Sequence, residues 1–264
     1  MARHIFSFSA TIIFLAAALI NHAPAARATE CGEKPVLFLA DVSGSMRYEA
    51  PEVQTAFGSG AEDNTKIEKI DIVRELLYRL APALAAKQCR TGIYLIRYLP
   101  GNPDYYSVFM RTGSHGPQGI REMLMNDFIT EFPVFNRRTP LADTFRYLDK
   151  NILEPVAGKM TLVLVSDGRD SFYNNEKDLA RSAVANNDQV LGPVSEVRRL
   201  KNIYGDFLNI HTVYVPGQSN ETEDTGRSVL AMIAAAGQGE HYPASELLEE
   251  ASQLIKFTDT LCCR

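Results

Sequence analysis

The sequence predicts an α/β protein whose central sheet is covered by helices on both faces. Three observations carry this. First, segments 36–40 (VLFLA), 92–99 (GIYLIRYL) and 160–165 (MTLVLV) are almost wholly apolar, and a strand with no polar side is one buried on both faces. Second, the segments between them have helical periodicity. The clearest is 67–86, where Ile67, Ile70, Val73, Leu76, Leu77, Leu80 and Leu84 recur in steps of three and four, a single apolar stripe. Third, strand and helix signals alternate along the chain, the order expected of layered α/β architecture.

The elements follow in order. Strand 36–40 leads into a loop at 47–65 that carries Pro51, Gly58 and Gly60. Helix 67–86 has Pro82 late in it, where the missing N–H is expected to bend or fray the last turn. Strand 92–99 meets the Pro100-Gly101-Asn102-Pro103 turn and pairs with 105–110 as a hairpin. A short helix covers 117–125, and another covers 141–153 behind Thr139-Pro140. Strand 160–165, helix 194–204, strand 208–215 (LNIHTVYV), helix 228–236, a short strand at His241-Tyr242 and a closing helix at 245–257 complete the list. No internal repeat or low-complexity linker divides the chain, so the expectation is one domain over residues 29–264.

Residues 1–28 read as a removable leader. Arg3 gives a positive start, 5–20 is a sixteen-residue apolar run, and Ala26-Arg27-Ala28 supplies a small-x-small cleavage site. Cleavage is expected after Ala28, with Ala25 as the alternative. Glu30 beside Cys31 does not fit a lipid-anchoring motif. Of 264 residues, 236 then remain, and losing Arg3 and Arg27 takes the formal charge from -5 to -7. No later stretch approaches membrane-spanning length. The expectation is an exported chain, periplasmic or secreted, of bacterial type and with no membrane span after cleavage, whose cysteines meet an oxidising compartment.

Composition excludes several classes. At 45% hydrophobic and 22% charged the chain is neither disordered nor fibrous. Its acidity argues against nucleic acid as a partner, which needs a clustered basic footprint.

Chemistry is concentrated after two of the buried strands. The first ends in Asp41-Val42-Ser43-Gly44-Ser45 and the third in Ser166-Asp167-Gly168. In open α/β sheets ligands bind outside the carboxyl ends of the strands, so Asp41, Ser43, Ser45 and Asp167 share a rim. Thr139, opening a helix in Thr-Pro-Leu, offers a further hydroxyl. Two carboxylates and three hydroxyls are hard oxygen donors, suited to a small divalent cation. Singly, turn chemistry explains each Asp and Ser as well; together, on matching strand ends, that explanation weakens.

The set Asp41-x-Ser43-x-Ser45, Thr139 and Asp167 resembles the metal-ion-dependent adhesion site of von Willebrand factor type A domains, over about residues 34–258. The resemblance implies a doubly wound, mostly parallel sheet with one antiparallel edge strand, at 105–110. It implies Mg²⁺, with Mn²⁺ or Ca²⁺ as alternatives, held by Ser43, Ser45 and Thr139, while Asp41 and Asp167 act directly or through water. It also implies a protein partner whose carboxylate completes the metal shell. Two features depart from the family pattern. Arg137 and Arg138 stand where glycines are common, and would favour an acidic partner or pair with loop acids. The loop at 47–66 is long and holds Glu49, Glu52, Glu62 and Asp63, which makes it either a specificity loop or a surface insertion.

Enzyme signatures are missing from the sequence. There is no G-x-S-x-G, Walker A, G-x-G-x-x-G or H-E-x-x-H pattern, and His211 reads as a core histidine within a strand. A Mg²⁺-dependent phosphoesterase is the enzyme alternative, and a structural or assembly subunit of an envelope complex is the other. The assigned topology gathers Cys31, Cys89, Cys262 and Cys263 at the edge of the sheet opposite the metal rim. Of the three connectivities, those linking Cys31 or Cys89 to the C-terminal pair are favoured, because they close the longest loops.

Overall fold

The computed structural model describes residues 34–50, 67–96, 106–128, 139–154, 158–169, 192–217 and 221–263. Residues 1–33 lie outside this set, as do 51–66 of the long loop, the Pro100–Pro103 turn, Arg137 and Arg138.

Strand β1 (Pro35–Asp41) is buried at every position. Its side chains alternate, so Val36, Phe38 and Ala40 enter one core and Leu37 and Leu39 the other. A strand with two apolar faces belongs in the middle of a covered sheet. The order is β3-β2-β1-β4-β5-β6, with β2 (Arg90–Ile96), β3 (Tyr106–Gly113), β4 (Met160–Ser166), β5 (Leu208–Tyr214) and β6 (Gln238–Pro243). Pairings β1–β2, β1–β4, β4–β5 and β5–β6 are parallel. The β2–β3 pair is antiparallel, so β3 is the antiparallel edge strand. It alternates accordingly, with Tyr106 and Met110 buried and Val108 exposed.

Helices cover both faces. On one side lie α1 (Lys69–Ala86), α2 (Pro117–Asn126), α6 (Ala244–Glu249) and α7 (Ala251–Cys263). They meet the sheet through Ile72, Leu76, Leu80, Ile120, Leu124, Leu247 and Phe257. On the other lie α3 (Leu141–Leu148), α4 (Gly192–Tyr204) and α5 (Glu221–Ala236), through Leu141, Phe145, Val197, Leu200, Leu230 and Ile233. The strand order reverses at β1, where the chain first moves outward to β2 and β3 and later crosses to β4. This is the doubly wound arrangement.

Three elements differ from expectation. Pro82 neither breaks nor shortens α1, which runs on to Ala86 with the proline buried in its apolar face. The helix at 141–153 is α-helical only to Leu148 and closes as a π-helical turn over Asp149–Leu153, with the Glu154 N–H donating to the Asp149 carbonyl at 3.0 Å. The closing helix is two helices, interrupted at Glu250, whose backbone is extended (φ -109°, ψ 101°). At about 100° per residue, an unbroken helix would turn Phe257 half a revolution away from Leu248. The interruption lets both enter the same core.

Candidate metal centre

Sheet register brings the chemistry together. Ala40 pairs with Val165 across the β1–β4 ladder, so Asp41 and Ser166 are the next residues on adjacent strands. The Ser166 hydroxyl donates to Asp41 Oδ2 at 2.7 Å and accepts the Gly168 N–H at 3.0 Å. Asp41 Oδ1 accepts the Ser43 N–H at 2.9 Å. The aspartate is thus fixed by the strand beside it and by the turn that follows it.

That turn becomes a 3₁₀ helix at Gly44–Arg47, which brings Ser43 and Ser45 onto one side, Oγ to Oγ at 3.1 Å. The Thr139 hydroxyl, two residues before α3, donates to Ser43 Oγ at 2.6 Å. Neighbouring corners of a Mg²⁺ octahedron, with metal–oxygen bonds of 2.0–2.1 Å, are about 2.9 Å apart. The two separations, 2.6 and 3.1 Å, bracket that value while serving here as hydroxyl–hydroxyl hydrogen bonds.

Asp41, Ser43, Thr139, Ser166 and Asp167 are buried, while Ser45 is half-buried. The two buried carboxylates act on one another. Burial, and secondly the Asp167 carboxylate, push the Asp41 carboxyl far above the ordinary carboxylate range, to about 7, against the opposing bonds from Ser166 and Ser43. Among the described residues no three His, Cys, Asp or Glu side chains gather as a metal cluster. The donor set is two carboxylates and three hydroxyls, which suits a hard, water-retaining ion better than zinc in a His/Cys cage.

Two groups at the site were not legible beforehand. Lys69, the first residue of α1, is buried and donates to Asp167 Oδ2 at 3.0 Å. Arg169 Nε lies 3.8 Å from the same oxygen, and the Arg169 N–H donates to Asp167 Oδ1 at 3.2 Å. Asp167 Oδ2 therefore faces two cations, Lys69 at hydrogen-bond distance and Arg169 farther off, while Oδ1 is held by backbone. Its backbone is also fixed by close approach. Gly168 has φ +77°, and a Cβ there would lie 2.1 Å from the Gly226 carbonyl oxygen; a Cβ on Gly226 of α5 would lie 2.1 Å from the Asp167 carbonyl oxygen.

The loop at 47–66 leaves and returns beside the site. Its neck is closed by backbone bonds, Ala50 N–H to the Ile67 carbonyl (2.9 Å) and Lys69 N–H to the Tyr48 carbonyl (3.0 Å). Glu52, Glu62 and Asp63 lie outside the described residues. His211 is a core residue whose Nδ1 accepts the Glu240 N–H at 3.0 Å, with its ring edge-on to Phe257.

The cysteines lie at the other edge. Cys89, just before β2, is disulfide-bonded to Cys262 at the end of α7, with Cα atoms 6.1 Å apart. Cys263 is disulfide-bonded as well, and Cys31 lies outside the described residues.

No protein-family model matches the chain, and no curated protein matches it. Solved structures do match. The PilB minor pilin from Streptococcus sanguinis superposes with a TM-score of 0.56 at 13% identity, over 87% of this chain and 62% of the pilin. An aerotolerance-related membrane protein from Bacteroides fragilis gives 0.51 at 11% identity, over 85% of this chain and 99% of that one. Proximal thread matrix protein 1 from the mussel byssus, solved with zinc in its metal-ion-dependent adhesion site, gives 0.52 at 12% identity, over 88% of this chain and 46% of the byssus protein. The chain has the von Willebrand factor type A fold. In this type A fold the Asp41–Ser45 turn lies at the carboxyl end of the central strand, β1, next to the end of β4.

Proposed function

We propose that this protein is an exported binding module that holds a divalent cation, Mg²⁺ first, at Ser43, Ser45 and Thr139. An acidic group of a protein partner would complete the metal's coordination. The observation that carries this is the hydroxyl cluster at ligand spacing beside two buried carboxylates. When bound, the cation supplies a Lewis-acidic centre with positions left for an oxygen ligand. Asp41 and Asp167 supply negative charge without crowding those positions, since each is already engaged, Asp41 by Ser166 and Ser43, and Asp167 by Lys69 and Arg169. Few anionic ligands leave the ion attractive to a carboxylate. Arg137 and Arg138 remain candidates for contacting such a partner.

The leader-like residues 1–28 support an exported, periplasmic or secreted location. So does the kind of protein that shares the fold, a pilin and a membrane protein among them. Among the described residues no helix is long and apolar enough to cross a membrane.

The test is capture of envelope or secreted proteins on the immobilised mature chain in Mg²⁺ and in EDTA. A partner held in Mg²⁺, released by EDTA and lost with Ser43→Ala supports the reading. A partner that stays in EDTA supports an assembly subunit instead. Metal-dependent hydrolysis of p-nitrophenyl phosphate that Ser43→Ala abolishes would support the phosphoesterase.

A further inference from the structure

Lys69 is costly where it stands. Its ammonium is buried beside Asp167, and it occupies the first position of α1, where the helix dipole disfavours a positive charge. Taking an ion pair out of water is offset only by good geometry and by the other charges of the site. A residue kept there against both effects answers a local need. The local charge to be offset is negative: Asp41 and Asp167 are both fully buried at the rim, and Lys69 pairs with Asp167 at 3.0 Å.

We propose that the Lys69 ammonium is a resident counter-cation that competes electrostatically with the divalent metal and sets its affinity low. This rests on the metal-site reading above and deepens it. Without metal, Lys69, with Arg169 at longer range, offsets the buried charge of Asp167. A divalent cation arriving at the hydroxyls meets a positive charge that is already paired with one of its two carboxylates. Like charges that share the field of one buried carboxylate repel more strongly inside a protein than in water. The ion is therefore held weakly by this chain alone. An extra negative group from a partner opposes Lys69, which couples metal retention to partner binding. Lys69 is a positioning and affinity-setting residue rather than a ligand. Its main chain also closes the neck of the 47–66 loop, so the site and the loop base share one residue.

The experiment is Mn²⁺ titration by calorimetry, with thermal melting in EDTA and in Mn²⁺, on the mature protein and on Lys69→Met, Lys69→Gln and Lys69→Arg. The neutral variants are expected to bind Mn²⁺ tenfold or more tightly than the parent, the sign following from the removed repulsion. They are also expected to melt lower in EDTA and to gain more from Mn²⁺. Lys69→Arg keeps the charge and should stay within about threefold of the parent in affinity. Folded neutral variants that bind Mn²⁺ no more tightly than the parent overturn the proposal and leave the metal site standing, with Lys69 a strut for Asp167. If Lys69→Met does not fold, the Lys69→Gln titration decides the matter by the same criterion. If neither parent nor neutral variants bind Mn²⁺ at millimolar concentration, the metal site and the proposal fall together.

Discussion

The two edges of the sheet are held by opposite means. At the amino edge the Cys89–Cys262 disulfide links the start of β2 to the end of α7 across 173 residues. Thr91 Oγ1 adds a bond to the Cys89 carbonyl at 3.3 Å. At the carboxyl rim, Asp41, Asp167 and Lys69 are buried beside the Ser43 and Thr139 hydroxyls, held by charge and hydrogen bonds rather than by a covalent link. One edge is fixed covalently, the other by buried charges and hydroxyls. The difference gives a sharp expectation: perturbing the amino edge should change stability and spare metal binding, while perturbing the rim should change how stability depends on metal and pH.

The largest effect is expected from removing the disulfide. On the chain-entropy model a loop of this length contributes up to about 5 kcal/mol. Cys89→Ser with Cys262→Ser should therefore lower Tm by roughly 10 °C or more, measured by differential scanning calorimetry. Mn²⁺ affinity of the protein that remains folded should be unchanged. A large loss of affinity would show that the two edges are not independent.

Next is the backbone contact behind Asp167. A Cβ at Gly226 would collide with the Asp167 carbonyl oxygen, and backbone cannot yield as a side-chain tip can. Gly226→Ala is expected to cost about 1–3 kcal/mol in chemical denaturation and to weaken metal binding at the same time. A variant of parental stability and affinity would mean that α5 does not fix the Asp167 turn.

An effect of similar size concerns pH. The folded-state pKa of Asp41 is raised, to about 7 from an ordinary value near 3.8. The folded state therefore holds this proton more tightly than the unfolded chain does. Its contribution to stability is fully present below about pH 4 and is lost as pH rises through about 7. In EDTA, Tm should fall between pH 5 and pH 8 by an amount that Asp41→Asn abolishes, and saturating Mg²⁺ should reduce the fall by compensating the carboxylate.

The smallest effect belongs to the exposed ion-pair network outside both edges. Arg146 bridges Asp143 at 3.1 Å and Glu196 at 2.8 Å between α3 and α4, and is 53% exposed. Arg146→Ala should cost under about 1 kcal/mol and leave metal affinity alone, which makes it the control for the rim variants.

What the sequence disclosed follows from how local each signal is. Asp41, Ser43 and Ser45 were legible because they stand two apart behind a strand apolar on both faces, and strand periodicity places that end at the rim. Asp167 was legible by the same logic on β4. Thr139 was legible only as a further hydroxyl opening a helix; its contact with Ser43 comes from how α3 packs, which no local pattern encodes. Lys69 was hidden because a lysine at a helix start reads as a solvent-facing charge, although its spacing of four from Val73 and seven from Leu76 puts it on the buried face of α1. Its burial comes from the antiparallel return of α1, which starts that helix against the rim. Its helical spacing to Val73, Leu76 and Leu80 is the local signal that marks it. The Gly168–Gly226 approach and the interruption at Glu250 depend on how distant elements pack, which no local pattern encodes.

The central claim is that the carboxyl rim holds a divalent cation through hydroxyls. Calorimetric titration of Mg²⁺ and Mn²⁺ into chelator-stripped mature protein tests it most directly. The expected result is saturable binding of one ion per chain, abolished by Ser43→Ala and by Asp41→Ala while the folded spectrum is retained. No binding heat and no thermal shift at millimolar metal would contradict it.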